Sequence, residues 1–189
     1  MSAELLAKSF ASTREVLAAV TPEQVTGSAT PCASWDVKEL INHIVNGTAF
    51  FADVAENGKP SDSGDAPDPA SGDYVAAFDA GTARAVRAFE ADGIMEQILH
   101  LPFGDMPGSA FCNIASADSF THGWDLAKAT GQSTDLAPAV ATELLAFATG
   151  MLSDATRGEN GVAPFGPECD APAGASEADK LAAFLGRTI

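Results

Sequence analysis

The stretch DVKELINHIVNGTAFFADVAENG, residues 36–58, decides the fold. Asp36 is a helix-capping residue type, and Glu39 follows three positions on, the spacing of a reciprocal capping box. Val37, Leu40, Ile41, Ile44 and Val45 then recur at intervals of three and four, which lays one apolar stripe along a helix. Asn57-Gly58 ends the run, because glycine takes the left-handed backbone conformation that closes a helix without steric cost. The pattern predicts a helix from about Asp36 to Glu56, with His43 on the edge of its apolar face.

The same period extends outward in both directions. Upstream, residues 3 to 19 bring Leu5, Leu6, Phe10, Val16 and Leu17 roughly onto one stripe. Thr21-Pro22-Glu23-Gln24 reads as a further helix start, with Thr21 as cap and Pro22 in the first position. Downstream, Tyr74 to Ala91 is helical by its Val75, Phe78, Ala85, Val86 and Phe89. Ser109 to Thr130 contains no proline and stops before Gly131, and Leu136 to Leu152 forms another apolar helix. A short helix led by Ser176 carries Leu181, Phe184 and Leu185. Between these lie a short extended segment, Ile98 to Phe103, and a turn, Gly104-Asp105-Met106-Pro107-Gly108. Residues 58–72, GKPSDSGDAPDPASG, hold no large apolar side chain and are expected to be a mobile loop. The stretch from Arg157 to Gly174 is irregular. The expectation is an all-α fold, an antiparallel four-helix bundle with short extra helices and a C-terminal extension. Its expected core includes Leu40, Ile41, Ile44, Phe78, Phe89, Ile114, Leu126, Leu144 and Leu145.

Charge narrows the function classes. Ten Lys and Arg stand against 26 Asp and Glu in 189 residues, a formal net charge of −16. Phosphate contacts need cations, so nucleic acid and anionic membrane surfaces are poor partners. The same field draws divalent cations, although surface acid also serves plain solubility. No run of about 18 apolar residues predicts a membrane span. Charges at Glu4, Lys8, Arg14 and Glu15 break up the first twenty residues, unlike a signal peptide. Cys32, Cys112 and Cys169 are too far apart for a CxxC site and odd in number, so a cytoplasmic, thiol-reduced protein is expected.

The three histidines carry the candidate chemistry. In SADSFTHGWDL, Asp118 and His122 are four apart and share one helix face, and Asp125 continues that line. If the helices pack side by side, His43 faces this pair. Two imidazoles and a carboxylate then converge, the donor set of a catalytic metal site with positions left for water or substrate. Spacing alone leaves the bland alternative standing: Asp118 merely orients His122, and His43 is a partly buried core histidine. Asp125 reads equally as an acceptor behind a ligand imidazole N–H or as a helix-surface acid. His100 reads as a loop histidine, Trp35 and Trp124 as core or pocket wall, and Phe50 and Phe51 as packing. Cys112 reads as a small apolar filler, and Cys32 has no partner spacing.

Two of these runs carry a resemblance. TPCASWDVKELINHIV is similar to the N-terminal motif of the mycothiol-dependent maleylpyruvate isomerase and DinB-like superfamily, and ADSFTHGWDLAKATG to its second motif. PFGDMPG, PFGPE and the terminal LAAFLGR resemble the actinobacterial metal-binding branch of the same family. The resemblance implies a four-helix bundle over residues 1–131. Residues 132–189 would add a helix and an irregular extension packed on the same domain. It implies a divalent metal, zinc foremost and nickel as the alternative, held by His43, Asp118 and His122. It also implies mycothiol or a similar low-molecular-weight thiol as co-substrate, in a transferase or isomerase reaction on a small electrophile. The isomerase carries Glu where this chain has Asp118, and it has a separate C-terminal domain. A metal-dependent small-molecule binding module without enzymatic activity is the second reading, and a purely structural bundle the third.

Overall fold

The capping box at Asp36 forms as the spacing requires. In the computed structural model the Asp36 carboxylate accepts from Glu39 N at 2.8 Å and Glu39 Oε2 accepts from Asp36 N at 2.9 Å. The helix it starts runs over Val37–Asn57, and Gly58 closes it at φ +75°. The structure describes residues 2–33, 35–61, 66–153, 157–158 and 165–189.

In chain order the helices are α1 (Ala3–Ala18), α2 (Pro22–Val25), α3 (Val37–Asn57), α4 (Tyr74–Phe89), α5 (Gly108–Ala129), α6 (Pro138–Met151) and α7 (Glu177–Phe184). Among the described residues the fold is all-α apart from a small hairpin. The expected extended segment is reduced to β1 (Ile98–Leu99), antiparallel to β2 (Met106–Pro107). Among the described residues no helix is long and apolar enough to cross a membrane.

The four long helices pack in a cycle: α1 against α4 and α5, and α3 against α4 and α5. Leu6, Phe10, Leu40, Ile41, Phe78, Phe89 and Phe111 fill the space between them. A second apolar cluster lies on the far side of α5, where Phe120 and Trp124 meet Val140 and Leu144 of α6 and Leu181 of α7. Helix α5 is therefore buried on both sides, which explains why its apolar residues form no single stripe. Trp124 Nε1 donates to Asp179 Oδ1 at 2.9 Å and ties α7 to it. Two expected core residues, Ile114 and Leu145, are only half-buried. Ile114 faces a cleft rather than a neighbouring helix.

Close helix approach depends on glycine at two places. A Cβ on Gly81 of α4 would collide with the Thr48 side chain of α3. A Cβ on Gly123 of α5 would lie 2.8 Å from Thr13 Oγ1 and 3.3 Å from Thr13 Cα on α1. Thr13 Oγ1 also donates to Ser119 O at 2.8 Å, so it is not free to move aside.

The loop after α3 differs from its expectation. Lys38 Nζ and Asn42 Nδ2 each donate to Asp68 at 2.8 Å, and Ala70 N donates to Asn42 Oδ1 at 2.8 Å. The second half of the loop is thus docked on α3 by polar contacts, which an expectation weighing only apolar burial does not register. Residues 62–65 of that loop lie outside the described residues.

Two substitutions test this packing by thermal or denaturant unfolding. Leu40→Ala, at a fully buried position, should cost about 2–5 kcal/mol. Gly123→Ala should destabilise by about 1–3 kcal/mol through overpacking, although an unhindered helix would gain from the same change. A stability gain in the second variant would show that α1 and α5 do not approach this closely.

Candidate metal centre

The site begins in the turn that precedes α3. Thr30 Oγ1 accepts from Cys32 N at 3.1 Å and donates to Trp35 O at 2.8 Å. Trp35 N donates to Cys32 O at 2.9 Å. This tight turn presents the Cys32 thiol and the Trp35 ring beside the first turns of α3. His43 follows two turns into the helix, and Trp35 stacks on its ring with centroids 4.3 Å apart and planes at 29°. From α5, Asp118 and His122 project one turn apart, and the His43 and His122 rings meet edge to face at 4.6 Å.

Three donor atoms converge here. Asp118 Oδ1 lies 3.8 Å from His43 Nε2 and 3.6 Å from His122 Nε2. All three atoms stand within 4.8 Å of one another. These separations exceed hydrogen-bond length. His43 Nε2 is buried and has no hydrogen-bond partner among the described residues. Two donors at 2.0–2.1 Å from a tetrahedral zinc stand roughly 3.4 Å apart. The spacing and the orphaned nitrogen therefore fit a shared ion better than a hydrogen-bonded network, and imidazole with carboxylate suits zinc or nickel chemically.

Behind His122 lies a second group that is bonded differently. Asp125 is fully buried. Its carboxylate accepts from His122 Nδ1 at 3.0 Å, from the Cys32 thiol at 3.1 Å, and from Arg187 Nη2 at 3.0 Å and Nε at 3.2 Å. Cys32, His122 and Asp125 also have metal-ligand chemistry, but their hydrogen bonds to one another already satisfy them. The Asp125 contact fixes the proton of His122 on Nδ1 and leaves Nε2 aimed at Asp118, the arrangement that orients and strengthens a ligand imidazole.

The electrostatics follow from this crowding. Burial alone would lower the His122 pKa. The carboxylates of Asp118 and Asp125, with the bond to Cys32, outweigh it and push it up to about 10. Burial alone would raise Asp125, but His122 and Arg187 hold it down at about 2. Asp118 also stays below the usual carboxylate range, because His122, His43 and Arg187 more than offset its desolvation.

Asp118 and His122 open on a cleft of about 890 Å³ between the Cys32 turn, α5, the end of α6 and the C-terminal tail. Asp118, Thr121, His122 and Arg187 line it, and its walls include Phe103, Ile114, Phe147, Met151 and Phe165. The volume is that of a small-molecule site.

The structure thus brings together His43, Asp118, His122 and Asp125. His100 is exposed and pairs with Asp105 at 3.0 Å, away from the cluster. Cys112 is buried, and desolvation pushes its thiol up to about 11. Sequence reasoning missed Cys32, Thr121 and Arg187. Cys32 carried one usable signal, its place in the turn leading into the His43 helix. Arg187 lies 62 residues from the carboxylate it meets, a pairing with no local signature.

Comparison with known proteins gives consistent results. The family model described as the mycothiol maleylpyruvate isomerase N-terminal domain matches residues 6–127. That span contains all three donors and Asp125. Two uncharacterized proteins of Mycobacterium tuberculosis, from strains CDC 1551 / Oshkosh and ATCC 25618 / H37Rv, are each 41% identical over 174 residues. The alignments cover 92% of this chain and 91% of each relative. No solved structure matches the chain.

The buried pair gives a stability test. Arg187→Met removes one of the two cationic partners of the buried Asp125 carboxylate and leaves His122 as the other, so unfolding should become easier by about 1–3 kcal/mol. An unchanged unfolding midpoint would show that the tail does not carry this contact.

Proposed function

The chain belongs to the mycothiol maleylpyruvate isomerase N-terminal domain family, and from that premise we propose that it is a divalent-metal protein of the DinB-like four-helix-bundle type. In this reading it uses a mycothiol-type thiol to transform a small electrophile, by S-transfer or by isomerisation. Residues 1–131 would be the bundle core, antiparallel in arrangement, and residues 132–189 an extension packed on it. The protein would work in the cytoplasm, with zinc as the first candidate and nickel as the second.

One observation carries the reading: the buried His43 Nε2, without a hydrogen-bond partner among the described residues, beside Asp118 Oδ1 and His122 Nε2. These three side chains would hold the ion. When bound, such an ion acts as a Lewis acid that lowers the pKa of a thiol or water toward neutrality. The chain's own groups do the rest. Asp125 holds the His122 proton on Nδ1, Arg187 holds Asp125, and Trp35 fixes the plane of the His43 ring. The cleft beside Asp118 and His122 leaves room for a co-substrate.

A second reading, a metal-dependent binding module without catalysis, is favoured by the state of the polar groups. Among the described residues lining the cleft, Asp118 and His122 are ligand candidates, while Cys32 and Arg187 already donate to Asp125. No independent general acid or base stands out. Thiol-conjugation assays on metal-loaded protein, with mycothiol and a panel of small electrophiles, separate the two readings.

Elemental analysis of untagged protein should find about one divalent ion per chain. His43→Ala and His122→Ala should lose most of it, because two ligands hold a borderline ion poorly. Asp118→Asn keeps the shape and should lose less, and His100→Ala should lose none. Full metal content in both histidine variants would overturn the site.

Binding should also depend on pH with a definite sign. The ion-free protein keeps a proton on His122 up to about 10, and metal binding must displace it. Apparent affinity should therefore rise about tenfold per pH unit through the neutral range, with roughly one proton released per ion near pH 7. Calorimetric titration in buffers of different ionisation heat measures that proton directly. A pH-independent affinity between 6 and 8 would exclude His122 as a ligand.

A further inference from the structure

The cleft draws one aromatic side chain from each of four separate segments. Trp35 comes from the turn before α3, Phe103 from the turn between β1 and β2, Phe147 from α6 and Phe165 from the C-terminal extension. No single helix face accounts for their meeting here. Among the described residues, the rings of Phe103, Phe147 and Phe165 pair with no other ring. Phe103 is 62% exposed, and Met151, which also lines the cleft, is 42% exposed. Large apolar side chains left bare on a concave surface mark a place where apolar matter is bound. The polar side chains of the lining have other work. Cys32 and Arg187 donate to Asp125, and Arg187 Nη1 donates to Leu185 O. The Thr121 hydroxyl is buried beneath the cleft surface and offers it nothing polar. Asp118 and His122 belong to the proposed ion site.

We propose that the cleft is a binding site for an apolar aromatic molecule of one or two fused rings. Its ring system meets the rings of Phe103, Phe147 and Phe165, which gain the edge-to-face or offset partners they lack in the free protein. The Met151 thioether adds a polarizable contact of the kind that favours an aromatic ring over a saturated one. A cleft of about 890 Å³ has room for two fused rings and a co-substrate beside them. A polyhydroxylated ring is disfavoured, because each hydroxyl would lose water without gaining a partner from the hydrocarbon walls. Binding of the ring rests on the lining alone. Its role as the electrophile of the proposed reaction rests on the reading of His43, Asp118 and His122 as an ion site, which faces the same cleft through Asp118 and His122.

The test uses the full chain and four unreactive probes: benzyl alcohol, 2-naphthylmethanol, cyclohexylmethanol and inositol. Cyclohexylmethanol has the carbon skeleton of benzyl alcohol without the π system, and inositol is a six-carbon ring covered in hydroxyls. Binding is read by calorimetry, and metal content is measured on the same samples. 2-Naphthylmethanol should bind about tenfold tighter than benzyl alcohol, from the apolar area of its second ring. Benzyl alcohol should bind about threefold tighter than cyclohexylmethanol, the size of one aromatic pair, and inositol should not bind. Phe103→Leu and Phe147→Leu keep apolar bulk and remove a ring, and the first alters an exposed side chain, so folding should survive. Each should weaken 2-naphthylmethanol about threefold, leave cyclohexylmethanol unchanged and leave metal content at the wild-type level. Cyclohexylmethanol bound as tightly as benzyl alcohol, or inositol bound as well as either, would overturn the proposal. So would both leucine variants, shown to be folded by circular dichroism, binding every probe like the wild type. Protein that sediments as a dimer and binds no probe would overturn it too, since a second copy would then cover the bare side chains. Ring binding with the full aromatic preference in protein that holds no metal supports the cleft and removes the ion reading alone. Full metal content with no probe bound does the reverse.

Discussion

The buried carboxylate of Asp125 is the contact on which the site depends. It sits on α5, where it accepts from His122 on the same helix, from Cys32 in the turn before α3, and from Arg187 in the C-terminal tail. An unpaired carboxylate at zero exposure would be strongly unfavourable. The three donors therefore have to arrive together, and with them come the three segments that border the cleft. One ionic contact thus fixes the tautomer of a candidate ligand, the position of the turn that carries Trp35, and the closure of the tail over α5.

Helix α5 can play this part because it is buried from both sides. The core shared with α1, α3 and α4 covers one side, and α6 and α7 cover the other. A helix so enclosed has little freedom to rotate, since interiors are close-packed and do not deform continuously. Asp118 and His122 therefore hold their direction without help from a ligand. Preorganisation of this kind is what a three-donor site with an open position requires, because the ion cannot recruit a fourth protein ligand to correct poor geometry. The glycine at position 123, next to His122, lets α1 lie against α5 at this level.

The polar and apolar parts of the cleft divide the chemistry. Asp118, His122, Cys32 and Arg187 supply its polar lining, and phenylalanine and aliphatic side chains form the rest. A net charge of −16 surrounds this apolar cleft. The field draws cations toward the donors, while the cleft itself favours uncharged matter.

Local sequence determined the elements and the donors. The Asp36–Glu39 box, the stripe from Val37 to Val45 and Gly58 specified α3, because caps and periodicity act within a few residues. The i, i+4 spacing put Asp118 and His122 on one face for the same reason. The family resemblance in the runs around His43 and His122 added the pairing between helices. What only the tertiary structure decided are contacts between segments distant in the chain. Cys32 meets Asp125 across 93 residues and Arg187 meets it across 62. Ile114 faces a cleft although its spacing suits a core, and Asp68 docks a polar loop on α3. Periodicity reports which face of a helix is apolar. It carries no information about what that face meets, because the packing partner is chosen by the global arrangement of all the helices and not by neighbours in sequence.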